Sequence, residues 1–298
     1  MTDTQNSASL YVVITDFDGW EQTQICLRRL QESTYQQFQV IVVDHGTTES
    51  TADGLAKFPF CMRIRADASL WWSGATNVGI RKAIELGATQ VMLLNNDCFV
   101  EPSTISELMD QTGKAGGRVV APIQRAASTG NVLVARTATC FTLGFPTIVF
   151  PHMRHVSSTS PALMPTKMIV GGRGVVVPVD VFEQIGLFDE AAFPHYGADH
   201  DFYMRCREND VSLSIATRAS VEMDDTRTTV ARNLGEMSWR RFRDSLRNSR
   251  SHRNVATLAS LFKRHYPVRL LYFVGVVLNL ARYFASYLLA RVAKIFVR

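Results

Sequence analysis

Between Leu10 and Gln111 the chain alternates short apolar runs with segments whose apolar residues share one helical face. Leu10–Thr15 reads LYVVIT, a buried-strand run, and Phe38–Val43, Cys61–Ile64 and Gln90–Leu94 repeat the pattern. Asp18-Gly-Trp-Glu21 predicts a helix start with a capping carboxylate and an acid three residues on, after which Cys26, Leu27 and Leu30 fall together. Helices are also expected over Asn77–Leu86 and Ser103–Gln111, the second with Pro102 as its first residue. Ala126–Thr166 is irregular. A strand at Val175–Val177, a helix over Val179–Ile185, a turn at Gly186–Asp189, a helix over Asp199–Glu208 and a strand at Ser212–Ile215 follow, and the pattern is helical beyond Ala231. This order predicts an α/β fold: a mostly parallel central sheet with helices on both faces, plus a C-terminal helical extension. Ligands of such sheets bind beyond the carboxyl ends of the strands, which here are Thr15–Asp18, Asp44–Thr47 and Asn95–Asp97.

With 298 residues, 46% of them hydrophobic, the chain is long enough for one α/β core and a smaller appended unit. Its net charge of +5 hides a split. Residues 232–298 carry 14 lysines and arginines against Glu236 and Asp244, whereas residues 1–231 carry 18 bases and 25 acids. A basic tail on an acidic body predicts two units, 1–231 and 232–298, the second facing an anionic surface or a partner subunit. The five cysteines form no C-x-x-C pair and read as buried thiols, and the spacing of a zinc site is absent. Met1–Ser9 is polar, so no secretory leader is expected and the location expected is cytoplasmic. No G-x-G-x-x-G follows the first strand and no P-loop motif occurs, which removes the usual dinucleotide and triphosphate readings.

Two segments carry chemistry. Asn95-Asn96-Asp97 ends an apolar strand, where a carboxylate holds a divalent cation against a diphosphate or simply forms a turn. In Gly197–Arg205 (GADHDFYMR), Asp201 and Arg205 have the spacing of a surface ion pair on a helix. Asp199 faces about 200° away from Asp201 at the helix start. There the helix dipole keeps a carboxylate ionised, as a general base or as an N-cap.

These pieces resemble the family 2 inverting glycosyltransferases, with their A-type, Rossmann-like fold. The resemblance rests on DFDGW at 16–20, VDHGTTEST at 43–51, WWSGATNVGI at 71–80, LLNND at 93–97 and GLFDE at 186–190, followed by YGADHDFYMR, and it covers roughly residues 10–225. It implies that Asp44 contacts the nucleoside, that Asp16 and Asn77 line the base and ribose pocket, and that Asn96 lies against the diphosphate. Asp97 would be the ligand of a Mg²⁺ or Mn²⁺ ion and Asp199 the catalytic base. Trp72, Arg173, His195, Asp201 and Asp224 are further candidates toward donor and acceptor, with core packing or a turn as the bland alternative for the first two. The chain departs from the family at Asn95, at Ala198 and at Met223, where Asp224 or Asp225 is left to supply an oxygen ligand. Residues 126–166 would be an acceptor-side insertion.

The implied activity is transfer of a hexose or deoxyhexose from a uridine or deoxythymidine diphosphate sugar to an acceptor hydroxyl. The acceptor would be a bacterial surface glycan, free or lipid-linked, as in rhamnosyl-type transferases. The rivals are an inactive membrane-bound scaffold, a nucleotidyltransferase and a nucleic-acid binder. The last two lack their glycine-rich loop and their aromatic-basic module. In the tail, Leu270–Ala281 offers only 12 uncharged residues before Arg282, short of the roughly 20 that span a bilayer. Arg269, Arg291, Lys294 and Arg298 share an arc, with Phe273, Val277, Leu280 and Phe284 elsewhere. This predicts an amphipathic helix on the inner face of the cytoplasmic membrane, or helix pairing in a homodimer.

Overall fold

In the computed structural model, residues 10–115, 118–224, 234–248 and 251–296 are described. The strand runs form where expected: β1 (Leu10–Asp16), β2 (Phe38–Asp44), β3 (Cys61–Arg65) and β4 (Gln90–Leu94). β3, β2, β1 and β4 lie side by side and parallel. The sheet continues through β6 (Arg118–Ala126), β11 (Arg173–Pro178) and β12 (Ser212–Met223). Its spatial order is β10-β12-β6-β11-β4-β1-β2-β3, where β10 is Leu163–Pro165; β5 (Cys98–Val100) also pairs with β12, and β7 (Val132–Val134) with β6. β11 enters antiparallel to β4, so the sheet is mixed, with a parallel half built on β1.

Period-two alternation in the central strands feeds two cores. Tyr11 and Val13 face α3 (Trp71–Glu85) and α6 (Ala198–Glu208); Leu10, Val12 and Ile14 face α1 (Trp20–Gln31) and α4 (Thr104–Ala115). α2 (Ser50–Leu55) and α5 (Val179–Ile185) complete the main body.

The structure corrects several local expectations. Asp18 does not cap α1: Gly19 occupies that position, and the Asp18 carboxylate turns to Thr47 and Thr48. α3 begins at Trp71, six residues before Asn77. Pro102 lies outside α4, because its carbonyl accepts from the Thr34 N–H and fixes it in a turn. The irregular middle contains a small hairpin, β8 (Ala138–Cys140) with β9 (Phe145–Ile148). The five cysteines are free; Cys26, Cys98 and Cys206 are buried, and Cys61 and Cys140 are half-buried.

The C-terminal helices share the main core. α7 (Trp239–Ser245), α8 (Val255–His265) and α9 (Tyr272–Phe296) follow in order, and Leu258, Leu261 and Phe262 of α8 and Val276 of α9 join the cluster that includes Phe202 and Tyr203 of α6. α9 docks on the β8–β9 hairpin, where Gly144 (φ 74°) lets the backbones meet: a Cβ there would sit 2.6 Å from the Asn279 nitrogen. Asn279 Nδ2 and Arg282 Nη1 both donate to the Gly144 carbonyl.

The expected Asp201–Arg205 pair forms, but it is not a surface pair. Asp201 is fully buried and is met by three side chains: Arg205 Nε at 2.8 Å, Arg264 Nη1 at 2.7 Å and His265 Nε2 at 3.0 Å. Burial opposes ionisation of Asp201, but the His265 and arginine bonds outweigh it and hold the carboxyl below its ordinary pKa. Asp201→Asn is expected to destabilise the protein by about 3–5 kcal/mol, since it breaks an ion pair whose carboxylate is fully buried. Chemical denaturation reads this, and a loss under about 1 kcal/mol would fit a solvated pair instead. Because the native pKa is lowered, the contribution of Asp201 is present above the unfolded-state value of about 4 and fades as pH falls through the native one. The variant should lack that part of the acid limb.

Candidate active site

The carboxyl edge of the parallel strands is a row of charged groups fixed by register. Asp16 stands opposite Asp44, and Asp44 opposite Arg65. Both aspartates are fully buried. Asp44 accepts Arg63 Nε (3.0 Å) and Nη2 (2.6 Å) on one oxygen, and Arg65 Nη1 (3.0 Å) with the Gly46 N–H (3.2 Å) on the other. Four donors match a carboxylate's acceptor capacity. Asp16 accepts from the Gly19 N–H, Thr23 Oγ1 and Thr51 Oγ1, tying the loop after β1 to α1 and α2. All three bonds are internal, and the Asp16 side chain is fully buried. Asp18, in the left-handed region at φ 53°, holds Thr47 and Thr48; the Thr47 hydroxyl bond, with three more donors, lowers its pKa to about 2. Phe17 is exposed between them, its ring 5.3 Å from that of His45.

Asn77 is likewise held by internal bonds. Its amide donates to the Phe188 carbonyl and to Glu190 Oε2 and accepts from the Phe188 N–H, clasping the GLFDE turn to α3 at 2% exposure. Trp72 Nε1 donates to Asn95 Oδ1 at 3.1 Å, and its ring meets Phe188 edge-on, so it braces the end of β4 against the same turn. Asn96 Nδ2 donates to Thr23 Oγ1 (3.1 Å) and the Gly19 carbonyl (3.4 Å), joining the β4 end to the loop after β1.

Asp97 is half-buried beyond β4, and the Asp224 N–H donates to its carbonyl at 2.9 Å. Two acids thus stand together where β4 and β12 end; Asp225 lies outside the described residues. Among the described residues no cluster of three or more His, Cys, Asp or Glu is arranged to hold a metal. The donor set does fit a hard divalent cation of the kind that takes one or two carboxylates and completes its shell with substrate phosphates and water.

Beside this edge β11 begins with a register shift between Arg173, which pairs with Leu94, and Val175, which leaves Gly174 unpaired; Arg173 Nη1 donates to Gln124 Oε1 at 2.8 Å. The preceding Gly172 carbonyl accepts from the Asn95 N–H at 2.7 Å, and the Gly171 N–H donates to Asp199 Oδ2 at 2.8 Å. The loop at 171–173 therefore bridges the β4 end to the start of α6. Gly197 initiates α6 at φ 87°, and a Cβ there would press on Phe193 and Thr257 at 3.1 Å.

Asp199, in the first turn of α6, is not an N-cap. Its second oxygen meets His200 Nδ1 at 3.0 Å, and His200 Nε2 lies 2.6 Å from Thr147 Oγ1 of β9. Burial raises the Asp199 pKa, but the charge and hydrogen bond of His200, with the Gly171 N–H, bring it well below the ordinary carboxylate value. Burial lowers the pKa of His200, and the charge of Asp199 reverses that and raises it. The charges of Arg173, Asp199 and Asp97 all act on the Tyr196 hydroxyl, whose pKa rises chiefly through burial. His195 stacks edge-on to Tyr196 at 4.6 Å and lies 6.1 Å from Trp71. Sequence reasoning left Thr147, His200, Arg63 and Arg65 without roles. Only the histidine inside GADHD and the alternation of arginines in β3 were there to flag them.

Comparison with known proteins agrees with this fold. Over 148 residues the chain is 27% identical to uncharacterized proteins of Mycobacterium tuberculosis (Rv1525) and Mycobacterium bovis (Mb1552), covering 49% of this chain and 50% of theirs. The chain thus spans about half the length of the curated relatives it matches. The structure of GalNAc-T7 with UDP, GalNAc and Mn²⁺ superposes with a TM-score of 0.61 at 13% identity, covering 94% of this chain and 55% of that one. Residues 1–349 of Staphylococcus aureus TarS give 0.57 at 11% identity, covering 97% and 92%. These likenesses show the A-type glycosyltransferase fold. The family model for glycosyl transferase family 2 matches residues 11–168, more than half the chain, and the protein belongs to that family.

Proposed function

We propose that the protein transfers a hexose or deoxyhexose from a uridine or deoxythymidine diphosphate sugar to an acceptor hydroxyl, with inversion at the anomeric carbon. The observation that carries the reading is the loop at 171–173, which carries Arg173 and joins the end of β4, next to Asp97, to the carboxylate of Asp199 at the start of α6. The nucleoside would lie over the edge formed by Asp44, Arg63 and Arg65 beside exposed Phe17, with the diphosphate toward Asn96 and Arg173. Asp97 and Asp224 would hold a Mg²⁺ or Mn²⁺ ion, which supplies charge neutralisation to the departing diphosphate. Asp199 takes the proton from the acceptor hydroxyl as that oxygen attacks, and the Gly171 N–H and His200 fix its orientation. A neutral His200 leaves Asp199 the stronger base; a protonated one weakens it.

The acceptor is proposed to be a growing bacterial surface glycan, and the work to be done on the cytoplasmic side of the membrane. In support, Leu270, Phe273, Val277, Phe284, Leu288 and Leu289 are exposed on or beside α9, whereas Leu280 packs inward. The segment Arg269–Val292 is long and apolar enough to cross a membrane, at mean hydropathy 1.5. Its middle is pinned to the body by Asn279 and Arg282, however, which favours lying on the bilayer. Exposed Trp239, Arg240, Arg241 and Arg243 of α7 rim the apolar face and suit anionic headgroups. The Lys294 side chain and Arg298 lie outside the described residues.

Asp199→Asn should lower turnover by roughly 10²–10⁴-fold with donor affinity nearly unchanged. Asp97→Ala should remove the metal-dependent part of donor binding in calorimetry. Full turnover of the first variant, or unaltered metal dependence in the second, sinks the respective role.

The pH–rate profile gives a separate check. With Asp199 held down by His200, the acid limb should lie below the ordinary carboxylate pKa of about 4. His200→Ala removes the positive partner, so the limb should move to higher pH; an unmoved limb would detach His200 from the base.

Replacing Val277, Phe284 and Leu288 by Gln should abolish sedimentation with phosphatidylglycerol vesicles while donor hydrolysis continues. Undiminished binding by that variant would place the lipid contact elsewhere, and a concentration-dependent dimer that it disrupts would make the face a subunit contact.

A further inference from the structure

The two arginines nearest Tyr283 differ from the others in the core. Arg253 is 2% exposed, and its Nε and Nη1 find no hydrogen-bond partner. Its guanidinium lies 5.5 Å from the centre of the Tyr283 ring. Arg282 lies 5.6 Å from the same ring and 3.9 Å from that of Phe145, and among protein carbonyls it bonds Gly144. Burial lowers the pKa of both arginines, and among the described residues the acidic group acting on them is the Tyr283 phenol. The contrast with Arg205 and Arg264 is sharp, since those two are also drawn into the body but are met by Asp201 and Asp189. His252 adds no anion: burial and Arg253 hold it at about 4, so it is neutral at pH 7.

A buried guanidinium without a counter-charge is costly, by several kcal/mol on the usual scale, and removing the cost requires an anion to arrive. Its planar fork of donors matches the paired oxygens of a phosphate or a carboxylate. Position narrows the source. The His252 ring is 5.7 Å from Tyr283 and 6.2 Å from Tyr196, so the cluster stands directly behind the tyrosine that precedes the start of α6 and Asp199. The donor's diphosphate is assigned above to other residues, Asn96, Asp97 and Arg173. Arg282 and Tyr283 also belong to the inward side of α9, whose outward side carries Val277, Phe284 and Leu288. An anion at the arginines would therefore have hydrocarbon-compatible surface within one helix diameter.

We propose that Arg253 and Arg282, around Tyr283, form an acceptor-side subsite for the phosphate group of a lipid-linked acceptor. The proposal rests on the transferase reading above and names its acceptor class. The phosphate occupies the unmet donors of Arg253, the lipid runs along the exposed face of α9, and the sugar hydroxyl reaches back past Tyr196 to Asp199.

The test is calorimetry on the full chain in chelator, with and without saturating UDP, using farnesyl phosphate, farnesol and inorganic phosphate. Farnesyl phosphate should bind the wild type whether or not UDP is present, and farnesol and inorganic phosphate at least about 10-fold more weakly. Arg253→Gln should lose about 10-fold or more of the affinity for farnesyl phosphate, and Arg253→Lys should recover part of it, since a charge is restored without the fork. Displacement by UDP, no binding by the wild type, or equal binding by Arg253→Gln would overturn the subsite. Inorganic phosphate binding as tightly as farnesyl phosphate would overturn the lipid-linked source. If Arg253→Gln shows no cooperative thermal transition, the wild-type comparison of the three probes with UDP still decides. Donor hydrolysis by the wild type is followed in parallel. Its absence with farnesyl phosphate binding intact defeats the transferase reading alone, and the converse defeats the subsite alone.

Discussion

The buried carboxylate of Asp201 is the constraint on which the site depends. It stands on α6 two residues after Asp199 and is held by Arg205 from its own helix and by Arg264 and His265 from α8. Arg264 also reaches Asp189 in the GLFDE turn, and Arg205 donates to the Leu187 carbonyl there. One carboxylate thus locks together the helix that carries the proposed base, the turn that Asn77 clasps from α3, and the C-terminal helices. A buried charge with three partners has few alternative arrangements, so the orientation of α6 is fixed from the side opposite the site.

Two aspartates two residues apart have opposite surroundings for a geometric reason. About 200° of helical rotation sends Asp201 into the protein and leaves Asp199 against the loop at 171–173. Asp201 is met by two arginines and an imidazole held on α6 and α8. Asp199 has one backbone N–H and one imidazole, and the imidazole is a partner whose charge varies near neutral pH. The first arrangement suits rigidity; the second leaves a carboxylate whose basicity depends on its neighbour.

Much of this was legible in the sequence. β4 and α5 fall on the expected residues, β1 and β2 run one residue longer, and the mixed sheet keeps its parallel half, because runs such as VVI and QVMLL are buried on both faces and periodicity marks them well. Local spacing also gave the Asp201–Arg205 pair, but not its burial. The partners from α8 lie more than sixty positions away, and nothing in a four-residue interval announces them. The same limit explains Asp16 and Asn77. Their motifs locate them correctly at strand and helix ends, yet whether an amide or carboxylate faces ligand or clasps a loop depends on donors such as Thr51 and the Phe188 N–H, distant in sequence. His200 stood inside a recognised motif, and only its contact with Thr147, across an irregular insertion, gives it meaning.

The C-terminal helix joins these threads. Its inward face has three polar anchors, Asn279, Arg282 and Tyr287, and Asn279 and Arg282 meet the β8–β9 hairpin at one carbonyl, Gly144. Three residues further along that hairpin is Thr147, the partner of His200. The path from the outer apolar face of α9 to Asp199 therefore runs through one helix, one hairpin strand and one imidazole. A helix held so firmly by its polar side cannot turn its apolar side inward without stranding Asn279 and Arg282. The exposed hydrocarbon is thus a consequence of how the site is braced, and a surface that covers it would come to rest against the element that positions the proposed base.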